Sequence, residues 1–283
     1  MNVDFQTVVN SVGDLPTMPA VAVKVIEQLQ DTSTSAAGLA ETVAHDPALS
    51  ARVLKIANSS FYSMKRQVKT LESAIVLLGE RTLRSLVLAA SLKGMNKSFG
   101  LLEKMLWEDA IGCAIGAKVV ARRFETADSE EAFLSGLFRH IGKVVLNYSR
   151  PDAFQELMQA VYNGEGDVQE LERKYFPFSH AVVGAAVLKK WNFSESLIES
   201  TLHHADLNID QREEPKLFRL TATVHLAGAI CGKLGIGQRI PDTRTDLAAL
   251  HSVKALGLNL SELPDTLDSI RVVFNENRSY FLG

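Results

Sequence analysis

Arg139, His140 and Lys143 lie close together in the chain and have side chains that could bind an anion or a metal ion. Arg139 and Lys143 are four positions apart, so on a helix they share a face and could bind an anion together. The alternative is that both are half-exposed side chains that extend their charges from an apolar helix into water. A guanidinium stays protonated and has no lone pair to donate, so Arg139 cannot bind a metal cation.

Three further histidines, His180, His203 and His204, are potential metal ligands. Successive residues on a helix project about 100° apart, so we do not expect His203 and His204 to point at one ion. One of them could face a pocket while the other caps the helix end, where an imidazolium meets the helix dipole favourably. Imidazoles without a carboxylate partner are more often structural than ligating. We therefore predict no metal and no other cofactor, with a metal site as the alternative.

Length and composition predict a folded, cytoplasmic protein. The 283 residues are 46% apolar, which is enough for one large domain or two smaller ones. The 30 basic and 33 acidic residues give a net charge of -3, so nucleic acid is not an expected partner. Cys113 and Cys231 form no C-x-x-C motif, which argues against a zinc ribbon or a disulfide framework. The start of the chain has no signal-peptide pattern, and no run reaches the roughly 18 to 20 apolar residues of a membrane span.

Apolar periodicity and capping signals place the chemistry on helices. Asp46 followed by Pro47 is a strong helix start, because Asp accepts from free amides and Pro has none to lose. Thr70 can cap the next helix, and Gly79 stands where a left-handed C-cap belongs. A long helix is predicted over residues 106–124. No segment alternates at period two for long, so we predict an all-α fold.

The segment 136–143, Gly-Leu-Phe-Arg-His-Ile-Gly-Lys, resembles the G-L-L-H-D-I-G-K signature of HD-superfamily phosphohydrolases. In those enzymes a His-Asp pair binds divalent metal, which activates water for attack on phosphorus. The resemblance aligns the four HD ligand positions with residues of other types, namely Asp109, Arg139, His140 and, by a looser match, Gly228. It implies that the HD route of catalysis is lost, so we predict no catalytic residues.

Other positions match groups with roles in active relatives. His180, His203 and His204 match histidines that contribute to metal binding in the HD-GYP phosphodiesterase branch. Lys143 lies where active relatives use a lysine for phosphate. The resemblance therefore leaves five candidate ligand-binding residues, which are Arg139, Lys143, His180, His203 and His204.

A wider resemblance identifies the chain as similar to the HDOD family, the HD-related output domain of bacterial signalling proteins. It is carried by Leu15-Pro16 with Pro19, residues 46–59, Ala74-Ile75 with Leu78-Gly79, residues 136–143, His180-Ala181, Trp191 and His203-His204. It implies an all-α, two-lobed helical bundle with an HD-like C-terminal lobe. We expect an N-terminal helical subdomain over residues 1–100 and an HD-like subdomain over 101–283 with a C-terminal helical extension. Together they would form one HDOD unit over about residues 10–235.

The resemblance implies a non-catalytic regulatory protein that binds a protein partner in bacterial signalling, together with a small anionic or nucleotide ligand. The alternative is a metal-dependent phosphohydrolase or cyclic-nucleotide phosphodiesterase with relocated ligands. A third reading is a sensor that binds a nucleotide without turning it over. In the first hundred residues, Phe61-Tyr62-Ser63-Met64 could form a protein-binding patch, with burial in the core as the simpler alternative.

Overall fold

The computed structural model describes residues 20–30, 34–62, 67–92 and 100–282, together with residues 7, 8, 10 and 18. Helices account for 76% of the structure, and the described residues contain no strand. The predicted all-α class is confirmed. Among the described helices, none combines the length and apolar character that a membrane span requires. Leu15, Pro16 and Pro19, which contributed to the resemblance, lie outside the described residues.

The chain forms two compact units, and the smaller one combines a segment from the first third of the sequence with the last helix. Residues 17–96 and 264–283 make up this unit, while residues 97–263 and 1–16 make up the larger one. The last helix thus groups with the smaller unit, whereas the sequence predicts it within a subdomain of residues 101–283. An amphipathic pattern shows that a helix buries one face but does not identify the partner of that face.

The smaller unit begins with five helices that start and end at the signals in the sequence. They are α1 (Ala20–Gln30), α2 (Ala36–Ala44), α3 (Pro47–Ala57), α4 (Leu71–Leu78) and α5 (Glu80–Leu92). The Asp46 carboxylate accepts from the Leu49 amide at 2.9 Å, with Pro47 as the first helical residue, so this cap is confirmed. Thr70 caps α4 as predicted. Gly79 ends α4 with φ 79° and ψ 162°, an extended backbone state that only glycine adopts readily, rather than the left-handed helical state.

The last helix of the chain belongs to this unit through specific contacts with the turn at Phe61. The Asn277 side-chain carbonyl accepts from the Phe61 amide at 2.9 Å. The rings of Phe61 and Phe281 lie edge to face with centroids 6.2 Å apart. Phe61 and Tyr62 are half-buried in a short 3-10 turn, while Ser63 and Met64 lie outside the described residues. The aromatic half of the predicted patch therefore packs within its own unit.

The larger unit contains the remaining described helices up to residue 263. They are α6 (Leu101–Phe124), α7 (Ser129–Phe138), α8 (Ile141–Ser149), α9 (Pro151–Tyr162), α10 (Val168–Tyr175), α11 (His180–Lys190), α12 (Glu195–His203), α13 (Pro215–Leu234) and α14 (His251–Leu256). The final helix, α15, spans Leu263–Leu282. Cys113 and Cys231 are free and fully buried, as expected of small core residues.

Two sets of packed helices bring the candidate residues together within the larger unit. The long helix α6 packs against α7 and α13, while α11 packs against α8 and α12. Close packing of α6 and α7 depends on Gly136, because a Cβ there would lie 2.6 Å from the carbonyl oxygen of Cys113. The junction between α7 and α8, at Arg139 and His140, therefore lies next to the middle of α6.

Candidate functional site

The centre of the site is the buried carboxylate of Asp109 on α6, which is 3% exposed. Its Oδ1 accepts from Nη2 of Arg139 at 2.5 Å. Its Oδ2 lies 2.7 Å from Nδ1 of His140. Asp109 thus bonds two consecutive residues of the α7–α8 junction, and both of its oxygens are engaged.

Gly228 on α13 makes room for the guanidinium of Arg139. A Cβ at Gly228 would lie 1.8 Å from Nη1 and 2.8 Å from Cζ of Arg139. From the sequence, Gly228 is notable only because glycine has no side chain that could bind a metal. The structure adds that the missing side chain leaves the space that Arg139 occupies.

Asp109, Arg139 and Gly228 therefore come together, but they form an ion-pair site and not a metal site. Burial acts to lower the pKa of Arg139, but the Asp109 carboxylate and the nearby Cys113 and Cys231 together more than offset this, and the pKa is raised. A permanently charged guanidinium would repel a cation at this point. The HD metal that the signature implies does not fit these residues.

Three histidines form a nearly equilateral triangle beside the ion pair. The ring centroids of His140 and His180 are 5.0 Å apart, those of His140 and His204 are 5.1 Å apart, and those of His180 and His204 are 5.2 Å apart. The Nε2 atoms of His180 and His204 lie 3.3 Å from each other. One ligand nitrogen from each ring lies within 4.8 Å of the other two. We call these three residues the histidine triangle.

Each ring of the histidine triangle has its Nδ1 against an oxygen outside the triangle. Nδ1 of His180 lies 2.6 Å from Oε1 of Glu172. Nδ1 of His204 lies 2.7 Å from the carbonyl oxygen of Thr201. The third Nδ1, that of His140, meets Asp109. Every ring is therefore oriented by an acceptor on its outer side.

Glu172 is a member of the site that the sequence analysis missed. It is completely buried on α10, and its second oxygen accepts from the His180 amide at 3.1 Å. Burial acts to raise the pKa of Glu172, but its hydrogen bonds and proximity to His180 more than offset this and the pKa is lowered. A signal was present, because Val168, Leu171, Glu172 and Tyr175 have the spacing of one helix face, and a carboxylate on that otherwise apolar stripe needs a buried partner.

His203 lies outside the histidine triangle although it is the neighbour of His204. Its Nδ1 is 3.1 Å from Oδ1 of Asp206, and its Nε2 is 3.6 Å from Oε2 of Glu199. Its side chain is 18% exposed, whereas His204 is 4% exposed. The two residues face different surroundings, as the angle between successive helical side chains predicts.

Gly142 sets the approach of α8 to the start of α11. A Cβ at this position would lie 1.8 Å from the carbonyl oxygen of His180. The glycine of the signature thus lets the backbone after His140 contact the backbone of His180. This contact places the two rings side by side.

Lys143, one residue further along α8, is half-buried near the histidine triangle. Within the described part of the chain its side-chain ammonium has no hydrogen-bond or ion-pair partner, although its backbone amide donates to the carbonyl oxygen of His140. Burial lowers the pKa of Lys143, and the Asp109 and Glu172 carboxylates oppose this shift. Arg139 differs, because its guanidinium already bonds Asp109. Of the two cations predicted to bind an anion together, Lys143 is the one without a carboxylate contact.

All three rings of the histidine triangle have lowered pKa values. Burial is the main cause for each. The positive charge of Arg139 adds to the effect on His140, and that of Lys143 adds to the effect on His180, where Glu172 acts in the opposite direction. The imidazoles are therefore neutral near pH 7, which is the form that can donate a lone pair to a metal.

The fold and the site together define an HD-related helical domain with a buried ion pair at the junction between α7 and α8. The HDOD domain model matches residues 15–207. The chain belongs to the HDOD family.

Two solved structures share this fold across nearly the whole chain. A candidate phosphohydrolase from Shewanella amazonensis is 26% identical with a TM-score of 0.75, and the match covers 97% of each chain. An HDOD domain protein of unknown function from Geobacter sulfurreducens is 22% identical with a TM-score of 0.75, covering 98% of this chain and 94% of that one. A curated protein of Treponema pallidum, described as uncharacterized, is 23% identical over 218 residues, which are 73% of this chain. The match spans 42% of the length of that relative.

Proposed function

We propose that this protein is a non-catalytic regulatory module that acts by binding a protein partner in bacterial signalling. The observation that carries the proposal is the buried ion pair between Arg139 and Asp109, seated in the space that Gly228 leaves. Membership of the HDOD family supports a regulatory role over an enzymatic one.

Loss of HD catalysis follows from the chemistry of that ion pair. Hydrolysis by the HD route needs a metal ion that lowers the pKa of its bound water to about 7. Arg139 offers no lone pair, Gly228 offers no side chain, and both oxygens of Asp109 already bond protein groups. The site therefore retains the HD helices and lacks the ligand set that activates water.

We further propose that Lys143 contributes to binding a small anionic ligand, such as a phosphate group or a nucleotide. Its ammonium has no carboxylate contact in the described residues and lies beside three neutral rings. An anion at this point would gain a charge-assisted hydrogen bond. Lys143→Met would then weaken binding of the anion without altering the Arg139–Asp109 pair.

A second candidate function is a metal-dependent phosphohydrolase or phosphodiesterase with relocated ligands. The histidine triangle favours it, since three converging imidazoles resemble the protein part of a catalytic metal site. The similar structure from Shewanella, described as a candidate phosphohydrolase, points in the same direction.

One assay separates the two functions. Untagged protein is incubated with Mn²⁺, Ni²⁺ or Zn²⁺ and with generic phosphoesters or cyclic di-GMP, alongside a His180→Ala variant. We expect no turnover above the variant. Metal-dependent hydrolysis that His180→Ala abolishes would overturn the regulatory proposal and establish the second candidate.

The partner is tested by capture followed by reconstitution. Crosslinking in the native bacterium and mass spectrometry give candidate partners, and each is then purified and titrated against this protein. The proposal expects at least one saturable complex between purified components. If none of the captured proteins binds this protein when both are purified, the proposed partner-binding function is contradicted.

A further inference from the structure

We propose that His140, His180 and His204 bind one divalent transition metal ion of the Zn²⁺ type through their Nε2 atoms. This inference goes beyond the proposed function, because a metal site can serve structure or ligand binding without any turnover. It also differs from the HD ligand set, since Arg139 and Asp109 occupy those positions as an ion pair.

The hydrogen bonds fix the tautomer of each ring. The carbonyl oxygen of Thr201 can only accept, so Nδ1 of His204 must carry the proton. The carboxylates of Glu172 and Asp109 likewise accept from Nδ1 of His180 and of His140. A neutral imidazole has one proton, so Nε2 of each ring presents a lone pair.

Two of these lone pairs face each other with no hydrogen between them. Nε2 of His180 and Nε2 of His204 are 3.3 Å apart, and neither can donate in the tautomer that its outer bond requires. Two buried acceptors in contact repel each other unless a donor or a cation lies between them. A proton shared between His180 and His204 would leave the Nε2 lone pair of His140 without a partner, although the three ligand nitrogens lie within 4.8 Å of one another. A metal ion coordinated by neutral rings satisfies both lone pairs.

The spacing of the rings agrees with tetrahedral coordination. Ligand nitrogens about 2.05 Å from zinc at the tetrahedral angle lie about 3.3 Å apart, and their ring centroids lie about 5.2 Å apart. The observed distances are 3.3 Å between Nε2 of His180 and Nε2 of His204, and 5.0 to 5.2 Å between the three ring centroids. Three nitrogen ligands favour a borderline ion such as Zn²⁺ over Mg²⁺ or Ca²⁺, which prefer oxygen.

The outer partners are those that metal-binding histidines usually have. Such histidines donate their second N–H to a carboxylate or a backbone carbonyl, which orients the ring and raises its basicity as a ligand. Here Asp109, Glu172 and the Thr201 carbonyl have that role. In the sequence these histidines have no evident carboxylate partner, which is why no metal is predicted from the sequence alone. The fold supplies those partners from α6 and α10.

Three protein ligands leave a fourth position open to a water molecule or an anion. The two cations Arg139 and Lys143 equal in number the two carboxylates Asp109 and Glu172, so a divalent ion would add two positive charges that no nearby carboxylate offsets. The fourth ligand is therefore expected to be anionic, with Lys143 as an additional contact.

The test uses the full chain without an affinity tag. The protein is stripped with a chelator, dialysed, and titrated with Zn²⁺ or Co²⁺, with the metal content measured by elemental analysis. We expect one equivalent and, for Co²⁺, the ligand-field bands of a tetrahedral site. His204→Ala should lose both signals, and the matched control His203→Ala should retain them.

Glu172→Gln separates loss of ligation from loss of folding. This change retains the three proposed ligands, and we expect metal affinity to fall about 10- to 100-fold. Absence of stoichiometric metal in the folded wild type, or binding by His204→Ala equal to wild type, would overturn the inference. Metal binding without hydrolysis leaves both proposals standing, whereas hydrolysis contradicts only the proposed function.

Discussion

The guanidinium of Arg139 lies in the space where a side chain at Gly228 would point, 1.8 Å from the position of a Cβ at that residue. The two residues are 89 positions apart in the chain but complementary in volume. The large side chain of Arg139 fits only because residue 228 is a glycine. The arginine at position 139 therefore affects packing as well as charge.

Gly228→Ala should destabilise the larger unit. Alanine in a helix interior is normally favoured over glycine by about 1 kcal/mol. The added methyl would meet a buried guanidinium held by Asp109, and overpacking of this kind costs about 1 to 3 kcal/mol. We expect the clash to dominate, with a lower midpoint in urea. Trp107 and Trp191 both belong to the larger unit, so tryptophan fluorescence follows this unit.

Gly232→Ala is the matched control on the same helix. The nearest atom to a Cβ at Gly232 is Cβ of Asp242 at 3.9 Å, which is an ordinary contact. The control should be neutral or stabilising. A Gly228→Ala midpoint equal to that of Gly232→Ala would show that Arg139 does not need the space.

Arg139→Met should cost about 3 to 5 kcal/mol, the range for breaking a buried ion pair from one side. Asp109 would remain buried with only His140 as a partner. Chemical denaturation followed by tryptophan fluorescence measures the change.

The comparison for this substitution is Arg271→Met on α15. Arg271 pairs with Asp268 at 2.7 Å, and both side chains are more than half exposed. Exposed pairs contribute at most about 1 kcal/mol. Arg271 lies in the smaller unit, which contains neither tryptophan, so unfolding of this variant is followed by far-UV circular dichroism. An equal loss of stability from the two substitutions would show that the Arg139–Asp109 pair contributes no more than an exposed pair.

Metal-free protein should lose stability as the pH falls below about 6.5, the ordinary pKa of histidine. The rings of the histidine triangle have lowered pKa values in the folded state, so they stay neutral there while the unfolded chain takes up protons. Unfolding then binds protons, and each histidine contributes up to about 1.4 kcal/mol per pH unit until its folded pKa is reached. Thermal unfolding in the presence of a chelator, at pH values from about 5 to about 7.5 on either side of that pKa, measures how steeply the free energy of unfolding changes with pH.

His204→Gln should reduce this slope because it removes one buried titrating ring. His203→Gln serves as the comparison, since His203 lies outside the triangle. An unchanged slope for His204→Gln would mean that the acid sensitivity arises elsewhere in the chain.

Restoring the central HD pair should not restore hydrolysis. The double change Arg139→His with His140→Asp supplies two HD ligands, but Gly228 still lacks a carboxylate and Asp109 stands where a histidine is needed. It also removes one corner of the histidine triangle. We expect weak metal affinity and no phosphodiesterase turnover with excess Mn²⁺. Hydrolysis above an Arg139→Ala control would show that only the central ligands had been lost.

The sequence predicts local structure well because helix caps are local chemistry. Asp46 with Pro47 and the cap at Thr70 could be identified without tertiary information. The unit to which α15 belongs could not, because the Asn277 contact to Phe61 joins positions far apart in the chain.

The location of the site could be predicted from the sequence, but only some of its residues could. The segment 136–143 around Arg139 and His140 indicated the location. Helical geometry predicted that His203 and His204 point in different directions. The partner of His180 could not be read from the signature, since Glu172 lies on a different helix. The reason for Gly228 was hidden as well, because a glycine in a sequence does not show which atoms occupy the space beside it.

The contact between Gly142 and the carbonyl oxygen of His180 has a thermodynamic consequence for anything that binds among the three rings. The spacing between the backbones that carry His140 and His180 is set by this direct contact, and the bonds to Asp109 and Glu172 hold the two rings in one orientation. Immobilising a flexible side chain on binding costs about 0.5 to 1.5 kcal/mol. In this protein those side chains are already ordered in the folded chain. The entropy cost of ordering them is therefore part of the free energy of folding and does not reduce the affinity for a ligand.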